Sequence, residues 1–483
     1  MTLSWKGCCA WLGLASALAM GEVLAASGNG VAQIVPDATL GAQRTVVTPN
    51  ATTDVISGGA TRGANLFHSF SQFSVPTGRT AYFNNALQIQ NIISRVTGAS
   101  VSNIDGLIKA NGVANLFLIN PNGIVFGPNA RLNIGGSFVV STANSLKFAD
   151  GTAFSAKTPQ ATPLLTVSVP IGLQFGANPE SITNRSQATD SSGNTIGLQV
   201  KPGKSLVLVG GNVILDKGNL LAWGGRVELG GLSAAGTVGL NGDGSLTYPA
   251  GVERADVSLN DGGLVDVTAQ GGGSIVVNAR NLDMLNSNLN AGIKNDSGSV
   301  GTQAGDVNID ATGAVTIAHS NIVNNVQPRA IGKAGNINIT AESLDLMNSG
   351  GLNTRSYGQG NAGSISIFAR DAVSFDSSGA FSSFDPSEPE RDNPTVGNTN
   401  QLIPNIVGKS GDIYISAGSI SLTGGSLLLA DTHGIGDAGK ITLLARDQVS
   451  ASGVGTYGNS SDLISGCGSG CRGNGGNISI TAG

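Results

Sequence analysis

The chain has 483 residues, 72 of them Gly; 40% are hydrophobic, only 12% are charged, and the net charge is −5. Glycine at roughly twice its ordinary usage but without a G-x-y period excludes collagen, and apolar content with little net charge excludes a disordered chain. No Lys/Arg run occurs anywhere, which argues against nucleic acid as a partner, because that partner rewards a dense basic footprint.

The N-terminus reads as a secretory signal peptide over residues 1–25. Lys6 supplies a thin positive region, Cys8 to Met20 an apolar core, and Val23-Leu24-Ala25 a small-residue cleavage site. The apolar run is too short for a comfortable membrane span, and no later run reaches that length without Gly or polar interruption. Cys8 and Cys9 leave with this segment. Residues 26–60, with the apolar runs VAQIVP and RTVVT, are expected to cap the N-terminal end of the fold.

Residues 115–142, NLFLINPNGIVFGPNARLNIGGSFVVST, place two short apolar strands around Asn120-Pro121-Asn122-Gly123. Pro121 fixes its own φ and biases Asn120 to an extended conformation, while Asn122 and Gly123 tolerate positive φ. By itself this is a turn.

The second half repeats. A glycine precedes an alternating strand at Gly273, Gly305, Gly335 (GNINITA), Gly363 (GSISIFA), Gly411 (GDIYISA), Gly439 (GKITLLA) and Gly476 (GNISITA), with successive spacings of 32, 30, 28, 48, 28 and 37 residues. The long interval is the basic unit plus FDPSEPERDNPTVGNTNQLIPN, residues 384–405, whose four prolines predict a loop outside the sheet. Ile337 and Ile339 point one way and Asn336 and Asn338 the other; a second strand (SLDLMNS, AVSFDSS) and a weaker third (GLNTRS, SLLLADT) follow. Two or three short strands per 28–30 residues, with turns too short for crossover helices, predict one coil of a parallel β-helix. A meander of antiparallel hairpins is the alternative.

A lone coil cannot fold. Some six inward aliphatics contribute roughly 1.5–3 kcal/mol each, whereas backbone ordering costs about 1–2 kcal/mol for every residue. Stacked coils share one core and satisfy each other's strand edges, predicting a rod of about 70–90 Å. The chain ends on GGNISITAG, just after the first strand of a new coil, which suggests a fragment of a longer protein.

Candidate chemistry is thin. GxGxxG occurs at Gly358, Gly434, Gly453 and Gly468; chance gives roughly one or two in so glycine-rich a chain, and none opens a helix of a βαβ unit. His68, His319 and His433 have no partner at ligand spacing, and HExxH, GxSxG and Walker motifs are absent. No metal or cofactor is expected. β-Helices also include polysaccharide lyases and hydrolases, but Asp306, Asp310, Asp345 and Asp371 are thinly spread and the acid-rich patch lies at 385–392. After signal removal Trp223 is the only tryptophan, poor stock for a sugar-stacking cleft. The chain is expected not to be an enzyme. Cys467 and Cys471, in CGSGC, suit a small disulfide in an exported chain better than a metal site, with free thiols as the alternative.

The NPNGI block closely resembles the N-terminal secretion domain of filamentous-haemagglutinin-type exoproteins of two-partner secretion systems. Upstream, QIQNIISRVTGASVSNIDGLIKANGVANLFLINPNGIVFG (88–127) follows the family's pattern; downstream, PIGLQFG (170–176) and LVLVGGNVILDKGNLLAWGGRVELGGL (206–232) look like its later coils. The family's Asn-Pro-Asn-Leu motif is not found, since Asn178-Pro179-Glu180 and Asn393-Pro394-Thr395 do not match; the transporter subtype stays open.

The resemblance implies an all-β fold: a right-handed parallel β-helix with an N-terminal cap and extra-helical strands. It implies a secretion domain over 26–250 followed by β-helix repeats over 251–483. Asn120, Pro121, Asn122, Gly123 and Ile124 would form the recognition and folding determinant. The partner would be an outer-membrane β-barrel transporter with POTRA domains, reached by way of Sec. The product would be a secreted or surface-attached monomeric rod, an adhesin or stalk with a carbohydrate or protein receptor. The stalk of a contact-dependent toxin and a polysaccharide-active enzyme are the other readings.

Overall fold

A computed structural model describes residues 33–160, 163–386, 406–456, 458–468 and 470–483. The expected signal peptide, and 387–405 of the Pro-rich segment, lie outside the described residues.

The alternation in sequence becomes burial. In Ile337–Ala341 both isoleucines are buried while Asn338 faces outward; Ser343–Met347 buries Leu344 and Leu346, and Gly351–Asn353 buries Leu352. These three strands are the three faces of one coil. Each pairs in parallel, in register, with its counterpart one coil away, so that Ile337 lies between Val307 and Ile365. On the first face, thirteen parallel strands of the described residues stack from Asn65–Ser74 through Asn91–Val96, Asn115–Ile119, Phe138–Ser141 and Ser205–Gly210 to Ile478–Thr481. The chain is therefore a parallel β-helix, and its inward aliphatics merge into one core from Ile34 to Ala445. Thirteen rungs make a stack of about 60 Å, shorter than repeat counting predicts, because several stretches leave the coils.

Glycine recurs at one coil corner for a packing reason. A Cβ on Gly335, Gly363, Gly411, Gly439 or Gly476 would collide with the carbonyl oxygen of the corner glycine one coil below. The next residue then acts as a polar rung. Asn336 N–H donates to Asp306 (2.8 Å), Ser364 N–H to Asn336 (3.0 Å), Asp412 N–H to Ser364 (3.2 Å) and Lys440 N–H to Asp412 (2.8 Å).

The first coil is closed by antiparallel strands: Gln33–Pro36 pairs with Asn65–Ser74, and Thr45–Asn50 with Thr53–Gly58. This blunts an edge that would otherwise recruit other chains. A second excursion forms an extra-helical antiparallel sheet from Ser145–Phe148, Ala153–Ser155, Pro170–Phe175, Gly236–Leu240 and Leu246–Thr247. Here the reading of PIGLQFG as a coil is corrected. Pro170–Phe175 belongs to this sheath, where Leu173 and Phe175 pack with Leu146, Phe148, Phe154 and Val238 on the outward side of the first face. That outward side carries Phe67, Ile93, Phe117, Val139 and Val207, so the early first-face strands are apolar on both sides.

The Pro-rich boundary is corrected as well. Phe384 is buried and bridges in parallel to Ser356 and Thr432, so the stack includes it and the surplus begins later.

Candidate functional site

Asn120 to Ile124 form the corner where Asn115–Ile119 on the first face passes into Ile124–Phe126 on the second. Asn120 and Ile124 are fully buried. The turn closes through Gly123 N–H to Asn120 O (3.2 Å), and Asn120 Oδ1 accepts the Asn122 N–H (3.0 Å), an Asx turn within a β-turn. Only Gly123 takes positive φ, +105°; Asn122 does not need the freedom its residue type offers.

The two asparagine side chains reach back to the coil before. Asn120 Nδ2 donates to Ser100 O (3.0 Å) and Ser102 Oγ (2.9 Å), and Asn122 Nδ2 donates to Gly98 O (2.6 Å). The backbone reaches forward, with Asn120 N–H on Ser141 O (2.9 Å) and Ile124 N–H on Ser181 O (3.2 Å). Three successive corners are thus stitched through the motif. Asn178-Pro179-Glu180 leads into the corner stacked directly above, next to Gly123. At the other end of the motif strand an amide ladder runs from Asn115 to Asn91 (3.0 Å) and from Asn91 to Asn65 (2.9 Å).

Sequence reasoning passed over Arg95, in the RVTG element. It is the largest fully buried side chain among the described residues. Its guanidinium donates to Ser69 Oγ (2.9 Å), Thr39 Oγ1 (2.8 Å) and Ser155 O (2.6 Å), and lies 4.0 Å over the Phe154 ring. Burial lowers its pKa to about 10, opposed by the charge of Asp37. Burial pushes the Asp37 carboxyl up, but hydrogen bonds from Thr39, Thr97 and Ser69 outweigh it and hold the group below its usual range. One polar network therefore joins the cap, the first two coils and the sheath. A lone arginine in an apolar strand was the available signal.

The remaining candidates are not brought together. Asp306 and Asp310 sit along the first face, Asp345 lies on the second, and Asp310 pairs with Arg254 (2.8 Å). His68 is buried against Thr45 Oγ1 (3.2 Å), and burial lowers its pKa to about 3, so it is neutral. His319 is exposed, and His433 contacts Asp431 (2.6 Å). Among the described residues no group of three or more His, Cys, Asp or Glu is placed to hold a metal. Cys467 and Cys471 are disulfide-bonded, their Cα atoms 5.7 Å apart.

A capped and sheathed β-helix with an Asn-Pro-Asn-Gly-Ile corner defines the class. Residues 32–277 match the family described as the TPS secretion domain, just over half of the chain, and the chain belongs to that family. Among solved structures it resembles the HMW1 secretion domain from Haemophilus influenzae at 17% identity, covering 94% of this chain and 100% of that one, with a TM-score of 0.53. This likeness bears on the fold. The filamentous haemagglutinin secretion domain also matches, at 16% identity over 70% of this chain and 96% of that one, with a TM-score of 0.29. None of the curated proteins matches the chain. As a family member the chain is a two-partner-secretion exoprotein, carried across the outer membrane by its transporter partner.

Proposed function

We propose that the protein is an adhesin or surface stalk without enzymatic activity. It enters the periplasm by Sec as a monomer and leaves through a barrel transporter with POTRA domains, with Asn120–Ile124 as the determinant read during export. One observation carries the motif assignment: the Asn120 and Asn122 amides donate to Gly98, Ser100 and Ser102 of the preceding coil. The turn itself closes locally, but its two side-chain amides find their acceptors only on a coil already formed, which suits a chain that emerges N-terminus first and folds coil by coil on the far side. The free energy of each added coil then draws out the next segment without a nucleotide.

Replacing Asn120 and Asn122 by Ala leaves three acceptors of the coil below without donors, at about 1–3 kcal/mol for each one left buried and unpaired. With the transporter co-expressed, the secreted fraction is expected to fall severely. Undiminished protein in the medium rejects the motif assignment.

A further inference from the structure

Trp223 lies at the corner after the third-face strand Asn219–Leu221. Neighbouring coils pin its backbone from both sides: Gly203 N–H donates to Trp223 O (2.8 Å), and the adjoining Gly224 N–H donates to Val267 O (3.0 Å). Trp223 is 39% exposed. A single exposed aromatic is ordinary on a protein surface. Here, however, two grooves share it together with Pro202, one of about 590 Å³ toward the following coils and one of about 250 Å³ toward the preceding ones.

The polar groups along these grooves are largely uncommitted. Lys201 lines the smaller groove; Asp266, Lys294 and Gln327 line the larger. Among the described residues neither lysine has an ion-pair partner and Gln327 makes no side-chain hydrogen bond. Asp266 gives one carboxylate oxygen to Thr268 N–H (2.8 Å) and keeps the other. The third-face register sets Lys201, Trp223 and Thr268 in one column on successive rungs, and places Lys294 on the next rung, two residues beyond that column at the position of Gln270. The two lysines are therefore three rungs, about 14 Å, apart along the stack axis and offset sideways as well. A rigid apolar platform with hydrogen-bonding groups beside it and a free cation at each end suits a ligand with one apolar ring face, many hydroxyls and spaced anions.

We propose that this groove binds a short acidic oligosaccharide. A sugar ring stacks on Trp223, its hydroxyls meet Asp266 and Gln327, and carboxylates of the flanking sugars reach Lys201 and Lys294. The site gives the adhesive reading a ligand class and rests on that reading only for its biological use. Composition undervalues the cleft because one tryptophan is enough when the coil corner holds it still.

Beyond Trp5 and Trp11, both within the expected signal peptide, Trp223 is the only tryptophan of this sequence, so a secreted chain of these residues reports on the site by its own fluorescence. Titration of protein collected from the medium with trigalacturonic acid is expected to give a saturable change that weakens with salt. By calorimetry, Trp223→Ala is expected to lower affinity about tenfold or more. Lys294→Gln, an exposed change that spares the fold, is expected to lower it several-fold and flatten the salt dependence. Secreted yield and circular dichroism of both variants should match the parent, which separates failure of the groove from failure of export or folding. Absence of a saturable change, or Trp223→Ala binding as the parent does, overturns the site. Equal affinity for neutral cellotriose overturns the acidic assignment.

Discussion

Glu228 shows how a buried charge ties the sheath to the coils. Its side chain is fully buried beside Arg226, and its carboxylate accepts the Leu246 N–H (2.8 Å) at the margin of the extra-helical sheet. Burial raises its pKa from the ordinary 4.5 to about 7, against the pull of Arg226 and the Leu246 N–H. Between those values the unfolded chain has released the proton while the folded chain keeps it. Stability contributed here is therefore present at the acid end and is lost as pH rises through the window. Melting temperatures taken from about pH 5 to about pH 7.5 should fall in the parent and flatten in Glu228→Gln, which keeps an acceptor for Leu246. The same slope in both proteins would assign the dependence elsewhere. Nothing in VELGG marks Glu228 as buried, because an outward position in a strand is polar by default until something covers it.

At the scale of elements, the difference between sheathed and bare coils is written in the strands. NLFLI and SLVLVG are near-continuous apolar runs and bury both sides, whereas INITA and ISIFA alternate and bury one. What the strands leave undetermined is which segment does the covering. Pro170–Phe175 alternates as any coil strand does, and only its antiparallel partners, Ser145–Phe148 and Gly236–Leu240, reveal its place. Phe154 anchors this sheath, edge-on to Phe67 at 5.1 Å and beneath the Arg95 guanidinium. Phe154→Ala is expected to destabilise the protein by about 3–5 kcal/mol in denaturant titration. A cost under about 1 kcal/mol would mean that the sheath is not packed as a core.

For the whole molecule the governing fact is that, beyond the sheath, each coil packs chiefly on its two neighbours, with only single arginines such as Arg370 and Arg446 reaching a coil further, so stability there is close to a sum of local terms and damage stays local. Ile367 is fully buried, stacked between Ile339 and Ile415. Ile367→Asp places an unpaired carboxylate in the core. Limited proteolysis should then cut the coils around and beyond the substitution while the capped segment 33–277 survives. Cleavage throughout would show a single cooperative unit. The stack is also shorter than repeat arithmetic predicts because cap and sheath consume residues without adding rungs.

The coil, its corner glycines and the Asn-Pro-Asn-Gly-Ile turn are legible in the order of residues alone. Each depends on local rules: period-two alternation, close backbone approach, and turn chemistry within four residues. Only the folded arrangement settles that Asn120 and Asn122 bind the coil below, that Arg95 joins cap, coils and sheath, and that Pro170–Phe175 lies outside the stack. Those contacts link residues 18 to 67 positions apart, and no spacing pattern encodes which distant partner a buried group will meet.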